Sequence, residues 1–207
     1  MYRTKQKTTL LAVSFALVFT IFSALLGFGQ DKGNFTDARD GHVYRWAMFG
    51  KKAWMLGNLN YKTQAGSWLY GDDTSKAAPY GRLYDWTTAQ KACPKGWHVP
   101  GDNEWEALIT YLGGDAVAGG KLEAMDSIPK AFRPAKAGET DTFITLLAGV
   151  RHTDGKFTGL GIWGGYWSST HTLDIVNNYL FTRNGKAIGR SSNDIHTAFS
   201  VKCVRNK

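Results

Sequence analysis

Cysteine and proline are scarce in this chain, with two and five copies in 207 residues. The two cysteines, Cys93 and Cys203, form no CxxC pair, so they make a poor zinc site. His42, His98, His152, His171 and His196 are scattered, without an HxxxH or HxH pair, and no clustered metal-ligand set is visible. Neither a GxxxxGKS phosphate loop nor a GxSxG nucleophile elbow occurs. Carboxylates do not pair for acid–base work either. Glu104 and Glu106 stand two apart on one expected helix, where their side chains face different ways. Asp72 and Asp73 lie in a loop with no identifiable partner. These absences give no catalytic residue, no cofactor and no metal, and the chain is expected not to be an enzyme. Repeats and low-complexity stretches are also missing.

What is present begins with a leader. Met1–Lys7 carries Arg3, Lys5 and Lys7, and Thr8–Phe28 is apolar and uncharged. Small residues Gly27 and Gly29 precede the polar Gln30-Asp31-Lys32, the pattern of an export signal at 1–29 with cleavage before Gln30. Left uncut, the same 21 apolar residues would span a bilayer of ~30 Å, and a membrane association is expected only in that case. The protein is accordingly expected in the periplasm, on the outer surface or secreted. Loss of the three leader cations takes the net charge from +8 to +5, with no long Lys/Arg run. That is weak footing for nucleic acid, which is not expected as a partner. In an oxidising compartment the two cysteines are expected to form one disulfide. It would close a loop of more than one hundred residues, worth ~4–5 kcal/mol on the chain-entropy model.

Residues 30–41 are polar and are expected to be a disordered lead, with one domain over 42–207. His42–Leu56 shows two apolar-aromatic runs broken near Gly50, a hairpin pattern. Asn58–Pro79 lacks a sustained period and is expected to be a long loop pinned by Trp68 and Tyr70. A helix is expected from Asp85, as cap, to Cys93, where Pro94 and Gly96 stop it. A second starts at Gly101 or Asp102 and ends at Gly113-Gly114, with Trp105, Leu108, Ile109 and Leu112 as its buried stripe. A third piece near Val117–Met125 is weakened by Gly119 and Gly120. Strand patterns follow at Phe143–Val150, Tyr166–Thr170, Tyr179–Arg183, Lys186–Ile188 and Phe199–Val204, with turns at Thr153–Lys156 and Asn184-Gly185 and a glycine-rich loop at Gly159–Gly165. Helices segregated from a run of strands indicate an α+β domain.

The blocks KKAWMLGNLNY, YGRLYDWTTAQKACPKGWHVPGDNEWEAL, LLAGVRHTDGKFTGLG, GGYWSST and FSVKCVR resemble the Fibrobacter succinogenes major paralogous domain family. The resemblance runs from about Asp37 to Arg205. It implies a C-type-lectin-like fold, with two main helices packed on antiparallel sheets and long loops. In that fold the first helix is commonly bridged by a disulfide to the final strand, and Cys93 and Cys203 fall at those places. Many members carry another cysteine pair before YGRLY, and Asn58–Pro79 here has none. The same fold class holds formylglycine-generating enzymes and iron-dependent sulfoxide synthases, whose reactive cysteines and clustered metal ligands have no counterpart here. Sugar-binding lectins of this class use a Glu-Pro-Asn or Gln-Pro-Asp tripeptide, and neither occurs.

By analogy with lectin-like folds, contacts are expected on loops of the C-terminal half. Trp163, in the glycine-rich loop, could stack on a sugar ring. Arg151, His152 and Lys156 surround one hairpin tip, and Arg183 and Arg190 flank another. The expected partner is a polysaccharide, a cell-wall component or a surface protein. A structural or adhesive surface component is the second reading, and an enzyme of the formylglycine-generating class the third.

Overall fold

A computed structural model describes residues 32–123, 147–172 and 175–206. The leader at 1–29, Met125 and residues 143–146 of the Phe143–Val150 run lie outside them. The elements in order are β1 (Lys32–Thr36), β2 (Val43–Phe49), β3 (Lys52–Met55), β4 (Ser67–Trp68), α1 (Ala77–Tyr80), β5 (Leu83–Asp85), α2 (Trp86–Ala92), α3 (Asp102–Tyr111) and α4 (Asp115–Glu123). After them come β6 (Ala148–Arg151), β7 (Phe157–Leu160), β8 (Trp163–Thr172), β9 (Ile175–Thr182), β10 (Gly189–Asp194), β11 (Ala198–Ser200) and β12 (Val204–Asn206). The fold is α+β and mostly β.

The helices start and stop where local chemistry requires. Asp85 caps α2 by accepting from the Thr88 amide at 2.7 Å. At α3 the Glu104 carboxylate reaches back to the Gly101 amide at 3.0 Å, satisfying a donor that the first turn leaves free. One of the two glycines inside α4 has a packing reason. A Cβ on Gly119 would stand 2.8 Å from the carbonyl oxygens of Lys186 and Ala187, so only glycine admits that backbone so close.

Two sheets form. The smaller has the order β1-β2-β3-β12, and the larger β10-β9-β8-β6-β11-β5-β4 with β7 paired to β6. Pairing is antiparallel except for two short parallel contacts, Gly149 with Gly164 and Ser200 with Tyr166, so the larger sheet is mixed rather than antiparallel throughout. Trp105 of α3 is fully buried between the sheets. It stacks on Tyr179 at 4.9 Å and meets Trp54 at 5.0 Å, Tyr166 at 6.1 Å and Phe181 at 6.2 Å. Its removal would cost about 3–5 kcal/mol. A second core joins Met55, Leu59, Ala89, Ala92, Trp167, Phe199 and Val201 around Cys203.

Four expectations need correction. The lead at 30–41 is not disordered over its described part. Lys32–Thr36 pairs with β2, Phe35 packs edge-on against Trp97 at 5.5 Å, and Asp37 is buried under bonds from Arg39. Arg39 also donates to the Ala92 carbonyl at 2.8 Å, which ties this segment to the end of α2. The stretch 159–165 is a tight turn at Gly161-Ile162 joining β7 to β8, not a loop. The strand after Asn184-Gly185 begins at Gly189 rather than Lys186. The last strand is split, because Val201–Cys203 crosses from one sheet to the other.

Cys93 and Cys203 form a disulfide, with Cα atoms 5.9 Å apart and a sequence separation of 110. Reduction should therefore lower unfolding stability by about 4 kcal/mol, read from urea midpoints with and without reductant. Alkylation of unreduced native protein should label neither cysteine. Equal midpoints, or labelling of both thiols, would contradict the bridge.

Candidate functional site

The hairpin between β6 and β7 holds three of the residues expected to make contacts. Its turn closes through His152 N–H to Lys156 O at 2.8 Å and Gly155 N–H to His152 O at 2.9 Å. Asp154 accepts from the Lys156 amide at 3.0 Å, and its carboxylate pairs with the exposed Lys156 ammonium at 2.9 Å. His152 is exposed and hydrogen-bonds Thr158 through its ring at 2.8 Å. Gly155 has φ +86°, and the Arg151 guanidinium lies across it, 3.4 Å from where a Cβ would stand.

Arg151 is the centre of a larger arrangement. Its guanidinium sits 4.2 Å from the ring centroid of Trp68 and 6.0 Å from that of Phe157. Tyr70 tilts against Phe157 at 5.3 Å. Trp68, Tyr70 and Phe157 are each half-buried, resting on a floor of Leu83, Ala148 and Ala198. No carboxylate stands within ion-pair distance of Arg151 among the described residues. Its Nη1 donates to the His152 carbonyl at 3.5 Å, and a guanidinium over an indole keeps its remaining N–H groups for a ligand. Trp68 and Tyr70 come from the loop read only as aromatic pins, more than eighty residues before Arg151. Nothing in their spacing marks the meeting.

The remaining expected residues go elsewhere. Trp163 is half-buried in the second core, its indole over Gly159, where a Cβ would collide at 2.5 Å. The exposed apolar side chain of that turn is Ile162. Arg183 is exposed and reaches over Gly161, its guanidinium 3.2 Å from where a Cβ would stand. Arg190 pairs with Asp102 and, at 3.2 Å, with Glu106. Asp102 accepts also from Ser168 at 2.6 Å and Asn177 at 2.8 Å, so the Arg190 charge is already answered inside the fold. Among the described residues no three His, Cys, Asp or Glu side chains are placed to hold a metal ion.

A family model described as the Fibrobacter succinogenes major domain matches residues 48–205. The chain belongs to that family. No curated protein and no solved structure matches it.

In this Fibrobacter succinogenes major domain the matched stretch contains the platform of Trp68, Tyr70, Arg151 and Phe157. It also contains an ion cluster that locks the helix connection. His98 bonds Glu104 at 2.9 Å through its Nε2, and Lys52 bonds the same carboxylate at 2.7 Å. His98 is thus held structurally, by this carboxylate and by a backbone bridge to Val204. Burial pushes the Glu104 carboxyl up, but bonds from Lys52, His98 and the Gly101 amide outweigh it and hold it below the usual range.

A depressed folded-state pKa adds stability that is present above the unfolded value of ~4.3 and is lost as pH falls through the folded one. Urea midpoints should therefore drop from pH 6 to pH 3, and Glu104→Gln should flatten that drop while costing about 1–3 kcal/mol at pH 7. An unchanged pH slope in the variant would remove Glu104 from the account.

Proposed function

We propose that this protein is an exported, non-enzymatic binding module of the cell envelope or exterior, and that its partner is a glycan. The observation that carries the reading is the half-exposed set of Trp68, Tyr70 and Phe157 around an Arg151 with no acidic partner among the described residues. Sugars present both apolar ring faces and hydroxyl edges. Aromatic rings take the first, and planar guanidinium donors take the second. Of the three partners considered, glycan, cell-wall component and protein, the mixture of ring faces and donors suits a glycan best. The contact surface then joins the β6–β7 hairpin of the C-terminal half to the Trp68–Tyr70 loop of the N-terminal half.

The fold proposed is C-type-lectin-like. Supporting it are the bridge from the end of α2 to the last strand region and the segregation of helices from strands. The disulfide also fits an oxidising compartment, in keeping with the leader pattern.

Binding of purified, disulfide-intact protein to plant polysaccharides, peptidoglycan and bacterial glycans tests the reading, with EDTA as a control. At least one glycan should bind saturably and without need of EDTA-removable metal. Trp68→Ala should weaken binding by roughly tenfold or more, the scale of a ring contact of 1–3 kcal/mol. Trp163→Ala should change affinity little. Silence across the panel, or binding indifferent to Trp68→Ala, would defeat the proposal.

A further inference from the structure

We infer that the platform selects acidic polysaccharides, those whose rings carry a carboxylate, with Arg151 as the residue that reads the charge. This rests on the glycan-binding reading and narrows it to one chemical class. Three observations converge. First, two neighbouring cations are answered and Arg151 is not. Lys156 pairs with Asp154, and Lys76, on the loop after Tyr70, pairs with Asp73. Arg151 has no carboxylate partner among the described residues, so its charge is open to an acidic ligand.

Second, the guanidinium is already ordered. Its Cζ lies over the Trp68 ring, 4.2 Å from the centroid, one terminal N–H donates to the His152 carbonyl at 3.5 Å, and the bare Gly155 lets it lie across the turn. A donor fork held in place loses little side-chain entropy when a carboxylate arrives, and the carboxylate takes two parallel N–H bonds from it. Third, the flanking rings of Phe157 and Tyr70 offer apolar surface beside the fork at the scale of a pyranose. An amino-acid carboxylate would satisfy the fork equally, but it would leave those rings without a matching face. The sugar acid uses both parts.

Affinity for polygalacturonate, for its fully methyl-esterified form and for poly-glutamate separates the possibilities, measured by titration calorimetry with the intact protein. The ester keeps every ring hydroxyl and loses the charge, and poly-glutamate keeps the charge and loses the ring. Polygalacturonate should bind at least tenfold more tightly than either. Arg151→Lys should lower that affinity by roughly ten- to a hundredfold, because an ammonium keeps the charge but not the fork. A separate arm is Gly155→Ala, whose φ of +86° would strain an alanine, shift the turn under the guanidinium and weaken binding while Arg151 itself remains. Urea midpoints of both variants show whether each is folded, and Lys156→Ala, which removes a paired cation, should change affinity less than threefold.

Equal binding of the acid and the ester would overturn the inference and leave the glycan reading standing. Equal binding of poly-glutamate would overturn it as general polyanion attraction. Failure of every glycan, including the neutral panel, would take down the underlying reading as well.

Discussion

The short stretch from Ala198 to Asn206 holds the two sheets together. Its first part, β11, lies in the middle of the larger sheet, with β5, β6 and β8 as neighbours. It then crosses at Val201–Cys203 and adds β12 to the edge of the smaller sheet beside β3. On the way, Leu59 donates to the Val201 carbonyl and Met55 to that of Cys203, each at 2.9 Å. Lys202 is fully buried, donating to the Leu56 carbonyl with its ammonium 5.7 Å from the Tyr166 ring. A buried ammonium is tolerable only with such partners. Cys203 then fastens the crossing to α2. These are contacts of long sequence separation, so the bridge adds most by restricting the unfolded chain.

The aromatic platform is a consequence of the same strand. Ala198 of β11, Leu83 of β5 and Ala148 of β6 make a floor of mostly small side chains on one face of the larger sheet. Small residues there leave room above the sheet. The 66–72 loop and the β6–β7 hairpin fill it from opposite sides, bringing Trp68 and Tyr70 to Arg151 and Phe157. The rings are too many for the floor to bury completely, so each stays half-exposed. The platform is therefore built at strand ends of the larger sheet, with Trp68 in β4, Arg151 in β6 and Phe157 in β7, and Tyr70 just beyond β4.

Much of the architecture was legible in the order of residues. Asp85 and Gly101 announced both helix starts through capping chemistry, and the stripe of Trp105, Leu108 and Ile109 is the buried face of α3. The pairing of Cys93 with Cys203 followed from two cysteines alone. Less legible was anything decided by distant contact. Lys32–Thr36 looks polar, and only Trp46 and Trp97, across the sheet and beyond, make it a strand. The glycines around Ile162 suggested an open loop with an exposed Trp163. They instead provide the bare backbone over which that indole packs. Arg190 looked like a surface contact until Asp102 and Glu106 were brought beside it. Arg151 stands among the expected contact residues, yet its aromatic company could not be found from spacing, because the two segments meet only in the folded sheet.

Amide hydrogen exchange of the intact protein, with and without a saturating bound glycan, tests the central claim most directly. The account predicts slowed exchange confined to two segments far apart in sequence, 66–72 and 151–158. Slowing at 161–163 and 183, or along β9 and β10 around Arg190, with those two segments unchanged, would contradict it.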